Sequence, residues 1–550
     1  MEKRVVIFLV LSIAVILGYD LLLKEFGLLP QSPPQDQNGQ DNSAWPPRED
    51  TKKGAPNIVA SSPPSMSTKQ EVDTPVHADS AVERTVTLET NLLRVSLSAR
   101  GGVITGWELK EYRSVAAEPK PVQLVYQGAN FKQPLSLTLS NPSSEKAVRE
   151  GLFSIDSDFT SLDAAHPVGH VALQFRDGAS GLVVTKQLTF HHDSYVVDVA
   201  VAVGGASEPY DVSLGTNFGI VEWGEGFIGL IGSAVLVDGR VEKETPDTEL
   251  VRKGDVRWVA LQDKYFIGVL IPEGGTATFV KKEGDKLVSA GVRMAGTTSH
   301  LRLYAGPKEY DTLRSLNMGL EETIDFGWFI FGSWSVVKAV AKPIFYVLRF
   351  INDYTHNYGV TIILLTMGIK LLFVPLQYKS YKSMKQMQVI QPKVAALQER
   401  LKDDRDRLNK ELIKLYRDHK VNPVGGCLPM VLQMPVFVAL FNILYMTIDL
   451  RQAPFFGWIT DLSAQDPYYV LPIVMGVTMV IQQKITPTTM DPTQAKIMLM
   501  LPAFMTFLFI NFPAGLVLYW LTNNVLTIAQ QLITDRVLFA KRPLVAEAAK

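Results

Sequence analysis

The stretch "GVTIILLTMGIKLLFVPL", residues 359–376, decides the fold class, because it is apolar enough and long enough to cross a membrane as a helix. It also contains Lys370. A charged side chain at the centre of a bilayer costs about 2.5–3.5 kcal/mol on insertion scales. Lys370 lies roughly 9 Å of helix rise from the end of the stretch, so its long side chain could instead reach the headgroups. The segment predicts a membrane helix whose lysine either snorkels or faces a hydrated interior.

The composition separates two regions of the 550-residue chain. Residues 25–325 have mixed polarity, whereas most of 326–540 is strongly apolar, which predicts one large soluble domain and a membrane bundle. The net charge of −1 argues against direct nucleic-acid binding, which needs a basic face. The single cysteine, Cys427, excludes an internal disulfide framework.

The first 83 residues predict an anchor and a tether. Lys3 and Arg4 precede an apolar run that is long enough to span the bilayer, so residues 1–24 are predicted to be an uncleaved anchor that starts in the cytoplasm. A cleaved signal peptide is the alternative, but it would have a shorter apolar core and a small-residue cleavage site. Residues 25–83 are rich in Pro, Ser, Gln and Asn, which predicts a flexible periplasmic linker.

Residues 84–325 alternate between apolar and polar side chains over many short runs, as in "RTVTLETNLLRVSLSARGG". This period of two, with Gly, Asp and Asn turns, predicts a large antiparallel β-sandwich outside the cytoplasm. Residues 326–352 predict an amphipathic helix lying in the membrane interface, which Pro343 should break or kink. Its aromatic and cationic residues are Trp328, Trp334, Lys338, Lys342 and Arg349.

Residues 353–540 predict a five-helix membrane core. Its spans are placed near 358–377, 428–447, 468–484, 497–511 and 514–533. Between the first two, residues 379–427 hold twelve Lys or Arg against six Asp or Glu, and their apolar spacing predicts a cytoplasmic helical hairpin. Charge alternation then gives six spans with both termini in the cytoplasm and a short cytoplasmic tail, 541–550.

Polar residues recur in the cytoplasmic halves of these predicted spans. Lys370 shares a helix face with Thr366, and Gln433, Asn523 and Asn524 lie at a similar depth. Polar side chains within spans normally face the bundle interior or water, so this asymmetry predicts a hydrated groove open to the cytoplasm. For Gln433 alone, an interhelical hydrogen bond is the alternative.

Three motifs carry a family resemblance. "NPVGGCLPMVLQMPVFVALF" (422–441), "DLSAQDPYYVLPIVMGVTM" (461–479) and "FPAGLVLYWLTNN" (512–524) closely resemble the YidC/Oxa/Albino family of membrane-protein insertases, in its Gram-negative form. The resemblance implies a polytopic α-helical inner-membrane protein with a periplasmic β-supersandwich similar to that of sugar mutarotases. It also implies an insertase and chaperone, not an enzyme, that moves client transmembrane segments out of the cytoplasm through the groove, alone or beside the Sec translocon.

The resemblance also assigns residues. Lys370 falls at the groove cation, where bacterial members often have arginine, and Gln433 matches a glutamine of the third span. Tyr519 and Trp520 match an aromatic pair of the last span. The hairpin corresponds to the family's client-receiving region, whose cations here include Lys379, Lys382, Lys385, Arg400 and Arg407.

The implied partners are nascent membrane proteins, the Sec translocon and the lipid bilayer, with only a weak ribosome signal in the short tail after Arg536. No cofactor, metal site or catalytic residue is predicted, since no Walker A loop, GxSxG elbow or HExxH motif occurs. Two alternatives stay open: a small-solute transporter, and a membrane-anchored protein that binds or modifies carbohydrate.

Overall fold

The computed structural model describes residues 84–539 apart from short gaps. The gaps are 115–118, 129, 206–208, 222–230, 244–246, 285, 328–333, 402–403, 420, 422–427 and 487–499. The predicted anchor 1–24, linker 25–83 and tail 541–550 therefore lie outside the described residues, as does Cys427. Strands form the first part of the described chain and helices the second.

The β domain contains two antiparallel sheets. The smaller sheet has the order β1-β2-β3-β4, with β1 (Thr85–Glu89), β2 (Leu93–Ser98), β3 (Val103–Arg113) and β4 (Pro121–Gln123). The larger sheet is formed by β5 (Leu137–Thr138), β6 (Ser154–Ser157), β7 (Val168–Arg176), β8 (Val183–His191), β9 (Val196–Gly204), β10 (Tyr210–Thr216), β11 (Gly232–Val237), β12 (Arg240–Glu242), β13 (Glu249–Gln262), β14 (Phe266–Pro272), β15 (Gly275–Gly284), β16 (Leu287–Met294) and β17 (Thr298–Pro307). Its main path is β5-β10-β16-β15-β13-β14-β17-β9-β8-β7-β6, and β11 pairs with β12 and β13.

Trp107 on β3 joins the two sheets. Its indole Nε1 donates a 3.0 Å hydrogen bond to the carbonyl of Ala305 on β17, and its ring packs edge-on against Phe218 with centroids 5.7 Å apart. The indole is fully buried, so its one polar atom needs this partner. These contacts confirm the predicted antiparallel β-sandwich.

Lys186 on β8 is a fully buried cation that sequence analysis missed. Its ammonium donates hydrogen bonds to the carbonyls of Gly101, Gly102 and Leu135 at 2.9, 2.8 and 2.9 Å. All three acceptors lie in turns with left-handed backbone, at φ of 74°, 56° and 66°. Carbonyls in such turns leave the sheet ladder, so the lysine provides the donors that they would otherwise lack.

We expect Lys186→Met to lower the free energy of unfolding by about 2–4 kcal/mol, because it leaves three buried carbonyls without a donor. Lys146→Met, at an exposed position on the helix Pro142–Glu150, is the matched control and should change little. Chemical denaturation of the purified protein, followed by tryptophan fluorescence, measures both. Equal stability of the two variants would contradict this role for Lys186.

The described helices follow the predicted positions closely, with two differences. They are α1 (Pro142–Glu150), α2 (Tyr310–Ser315), α3 (Ser335–Thr355), α4 (Tyr358–Arg400), α5 (Arg405–Asp418), α6 (Leu428–Met446), α7 (Val470–Ile485), α8 (Leu501–Phe509) and α9 (Ala514–Ile533). Helix α3 runs through Pro343 instead of ending there. The first core span is predicted near 358–377, and the helix that contains it, α4, is 43 residues long and also forms the first arm of the hairpin.

Within the described part of the chain, α4 alone is long and apolar enough to cross a membrane by length and composition. Residues Gln433–Met446 of α6 and helix α7 are shorter apolar helices. The six-span arrangement therefore stays a prediction.

Polar contacts join the β domain to the helices. The Glu322 carboxylate lies after α2 and accepts hydrogen bonds from Lys338 and Lys342 of α3. The buried Asn442 of α6 donates to the carbonyl of Phe326 at 2.9 Å. Beyond α6, Arg451 donates to the carbonyl of Arg113 at the end of β3, also at 2.9 Å. The junction is therefore anchored on both α3 and the segment that follows α6.

Partial burial raises the pKa of Glu322, but the hydrogen bonds from Lys338 and Lys342 outweigh it and hold this pKa below its ordinary value. A carboxylate with a lowered pKa in the folded state stabilises the fold above its unfolded pKa, and that contribution is lost as the pH falls through the folded pKa. We expect Glu322→Gln to lower the thermal midpoint at pH 7, and the difference from the native chain to shrink as the pH falls below the unfolded pKa of about 4.3 and through the lowered folded pKa. A difference that persists in acid would contradict the charge-based role.

Candidate functional site

Lys370 is buried between α4 and α9, with 8% of its surface exposed. Its ammonium donates a 2.8 Å hydrogen bond to the hydroxyl of Thr527 on α9, and that hydroxyl donates to the carbonyl of Asn523 at 2.6 Å. Lys370 forms no ion pair with any described residue. The side chain is therefore directed at a neighbouring helix.

The other polar residues of the predicted groove are arranged unequally around Lys370. Thr366 is buried, but its hydroxyl donates to the carbonyl of Ile362 one turn earlier at 2.6 Å, so the donor is used within α4. Gln433 accepts a 3.4 Å hydrogen bond from Gln377 of α4, which is the interhelical role weighed above.

Asn523 and Asn524 lie side by side on α9 but face different surroundings. Asn524 is buried and donates to the Thr478 hydroxyl on α7 at 3.4 Å, which ties α9 to α7. Asn523 is half-buried, and it is its backbone carbonyl that accepts from Thr527. Asn523 therefore belongs to the Lys370 site through its backbone.

Tyr519 and Trp520 belong to an aromatic cluster rather than to the surroundings of Lys370. Their rings lie 6.1 and 5.0 Å from the ring of Phe437 on α6, measured between centroids. Trp520 also packs edge-on against Phe509 of α8 at 4.7 Å. Aromatic pairs at such distances stabilise packing beyond their buried area, so this pair holds α6, α8 and α9 together.

A cavity of about 130 Å³ lies between α4 and α9 and continues from the Lys370 site toward the hairpin. We call it the polar cleft. It is lined by Gln377, Tyr378, Ser380, Tyr381, Met384, Thr527, Gln530, Gln531 and Thr534. Thr527 both lines the cleft and accepts a hydrogen bond from the Lys370 ammonium, so the cleft begins next to the buried cation. Eight of its nine lining residues carry a hydroxyl or amide group, although most of the surface that they expose there is carbon.

The far end of the polar cleft holds an acidic residue that sequence analysis missed. The Asp535 carboxylate accepts a 2.7 Å hydrogen bond from the Tyr381 hydroxyl and lies 3.2 Å from the Lys385 ammonium. Two signals were available: Asp535 is an acidic residue just before a basic tail, and Tyr381 and Lys385 are one helical turn apart.

Of the five cations assigned to the hairpin, Lys385 contacts Asp535 and the ring of Tyr381, which lines the polar cleft. Lys379, Arg400 and Arg407 are exposed, and Lys382 is half-buried. Within the part of the chain that the structure describes, no group of three or more His, Cys, Asp or Glu could hold a metal ion.

We expect Thr527→Val to leave the buried ammonium of Lys370 without its hydroxyl partner and to lower the free energy of unfolding by about 1–3 kcal/mol. Thr527→Ser keeps the hydroxyl and should retain most of the native stability. Thermal unfolding of the three proteins in one detergent makes the comparison. A Val variant as stable as the Ser variant would show that the hydrogen bond contributes nothing.

Comparisons with known proteins place both parts of the chain in one family. Residues 350–541 match the family described as 60Kd inner membrane protein, and residues 85–347 match the YidC periplasmic domain. The chain is 37% identical to the membrane protein insertase YidC of Syntrophus aciditrophicus, over 96% of this chain and 99% of the relative. It is 42% identical to that of Citrifermentans bemidjiense, over 83% of this chain and 86% of the relative.

A crystal structure of an active YidC insertase with its first transmembrane domain resolved is 19% identical to this chain. The superposition covers 82% of this chain and 94% of the chain in that crystal structure, with a TM-score of 0.34. The sequence relatives span nearly the whole length and share one name. The chain therefore belongs to the YidC family of membrane-protein insertases, as an inner-membrane protein with a periplasmic β domain.

Proposed function

We propose that the chain accepts the hydrophilic part of a client into the polar cleft from the cytoplasm, while the client's apolar segment passes into lipid beside α4 and α9. The observation that carries this proposal is the buried Lys370 ammonium, which has a hydroxyl partner and no carboxylate partner among the described residues. A buried cation attracts an acidic group strongly, because the low-dielectric surroundings screen it weakly. Acidic client tails are therefore the preferred cargo.

Tight packing at the opposite end of the helices supports a cleft that opens on one side. The buried Asp466 accepts hydrogen bonds from the Trp458 indole at 3.0 Å and from the backbone N–H of Leu471 at 2.7 Å. Gly359, at the start of α4, faces the ring of Phe455, and a β-carbon there would lie only 2.0 Å from that ring. The loop 448–467 thus seals the end that the charge pattern assigns to the periplasm.

The energy of insertion comes from the client in this mechanism. Burial of a client's apolar side chains in lipid is favourable by roughly 25 cal/mol for each Å² removed from water. The obstacle is the transfer of the polar tail, and a hydrated cleft shortens the apolar distance that the tail crosses. The chain then needs neither bond-forming chemistry nor nucleotide hydrolysis, so we assign no catalytic residue.

The finer arrangement belongs to the same proposal. Residues 326–352 lie in the interface, residues 353–540 form the five-helix core, and with the anchor 1–24 the chain has six spans and cytoplasmic termini. The exposed Arg400 and Arg407 of the hairpin meet the client first. The protein works alone or beside the Sec translocon, and its short tail contributes little to ribosome contact.

We expect Lys370→Met to slow the insertion of a single-span client with an acidic tail about tenfold, which corresponds to about 1.4 kcal/mol in the barrier. Methionine keeps the length of the side chain but removes its charge. Lys370→Arg should insert the client at the native rate, because it keeps the charge. Protease protection of the tail, in liposomes that contain only the purified protein, is the measurement.

The matched client has Asn and Gln in place of the tail's Asp and Glu. Insertion of this neutral client should be affected little by either substitution. Equal slowing of both clients by Lys370→Met would contradict charge attraction. If the native chain alone inserts neither client, autonomous insertion is contradicted, and the assay is repeated with the Sec translocon in the same liposomes. Continued failure there would contradict the proposed function itself.

A further inference from the structure

The cytoplasmic end of the polar cleft contains an ion pair made within the chain. Asp535 lies just past α9, in the wide helical turn Thr534–Phe539. Wide turns of this kind occur frequently at functional sites. Its two carboxylate oxygens meet two different donors of α4, the Tyr381 hydroxyl and the Lys385 ammonium. A neutral donor and a cation at this spacing make a two-point site for one carboxylate.

Lys370 and Lys385 stand at opposite ends of the cleft on one face of α4. Fifteen residues separate them, or about 22 Å of helix, and at 100° per residue their directions differ by only about 60°. The lining residues Gln377, Tyr381 and Met384 lie between them on the same face. An extended peptide of about seven residues would span this distance.

The lining of the cleft favours an anionic guest. Its polar residues carry hydroxyl and amide groups, and no lining residue is acidic. Next to the cleft, Lys385 is paired with Asp535, whereas Lys370 has no carboxylate partner among the described residues, so these three charged groups carry one uncompensated positive charge. Lys385 also lies 5.5 Å from the centre of the Tyr381 ring, which keeps the two donors together.

We propose that Tyr381 and Lys385 form a second binding site for an acidic side chain of the client, and that Asp535 occupies this site until a client carboxylate displaces it. This inference rests on the proposed function. It adds to Lys370 a second contact nearer the cytoplasm, and it assigns Asp535 the role of a competitor that sets how strongly acidic tails are preferred.

The exposure of the pair makes the exchange feasible. The side chains of Lys385 and Asp535 are 28% and 32% exposed, and partly hydrated ion pairs contribute little stability. A client whose tail is already held at Lys370 presents its next carboxylate at high effective concentration. Such a carboxylate can make the same two contacts as Asp535, and its high effective concentration favours its binding to Tyr381 and Lys385 in place of Asp535.

The test uses the full chain in liposomes of zwitterionic lipid, with the acidic-tail client and its neutral counterpart. Asp535→Asn keeps an acceptor for Tyr381 but removes the charge, and it should speed insertion of the acidic client about three- to fivefold while leaving the neutral client unchanged. Glu399→Gln removes an exposed acidic residue elsewhere on α4 and should affect neither client.

Lys385→Gln should slow the acidic client and abolish the gain caused by Asp535→Asn when the two are combined. An equal effect of Asp535→Asn on both clients, or none on either, would overturn the proposal. If Asp535→Asn speeds insertion only in anionic lipid, and equally for both clients, the site binds lipid headgroups. That result would also overturn the proposal. If the native chain inserts neither client, with or without the Sec translocon in the liposomes, the proposed function has failed instead, and this native control distinguishes the two failures.

Discussion

The hydrogen bond between the Lys370 ammonium and the Thr527 hydroxyl is the interaction on which the membrane part of the molecule depends. A buried cation without an ion-pair partner is costly, and one neutral hydroxyl offsets only part of that cost. The remainder is reduced if water or a polar guest reaches the ammonium. The polar cleft that begins at Thr527 provides the space for one. Burial of the lysine and the polarity of the cleft are therefore two consequences of one constraint.

Helix α4 transmits this constraint along its length. Its 43 residues extend over about 65 Å, roughly twice the ~30 Å of hydrocarbon that a span must cross. The span with Lys370 and the hairpin arm with Lys385 are therefore parts of one rod, and movement of the arm against α9 changes the cleft directly. Pro375 and Pro392 lie within the helix and remove backbone donors there, so they are the points where it can bend most easily.

Sequence analysis predicted the parts of this molecule that depend on periodicity. The alternation in residues 84–325 gave the sandwich, and the apolar run at 514–533 gave the bounds of α9. It did not reveal that one helix continues past the apolar run that ends near residue 377, because polarity changes within that element. Hydrophobicity reports the surroundings of a helix, whereas capping and backbone geometry determine its end.

The site shows the same limit. Lys370 could be recognised in the sequence because a charged residue within an apolar run is conspicuous. In contrast, its hydrogen-bond partner on the neighbouring helix, Thr527, could not be identified from one sequence. Thr366 lies on the same helix face as Lys370, but its hydroxyl donates a hydrogen bond to the backbone carbonyl of Ile362 in the same helix. Asp535 was missed because its hydrogen-bond partner, Tyr381, lies 154 positions away in the sequence. Lys186 was missed for the same reason, since its three carbonyl partners lie 51–85 positions away.

The contacts at the two ends of the helix bundle differ greatly in burial and in the free energy that they contribute. At the outer end, Asp466 and Arg451 are buried among their partners, and Leu450 and Leu462 are fully buried. Each fully buried leucine contributes about 1.5–3 kcal/mol, and the β domain adds contacts at Arg113 and Phe326. At the inner end, the partly exposed pair of Lys385 and Asp535 contributes about 0–1 kcal/mol. The ion pair at the hairpin end therefore costs far less free energy to break than the buried contacts at the β-domain end, so the contacts next to the hairpin are the weaker of the two sets.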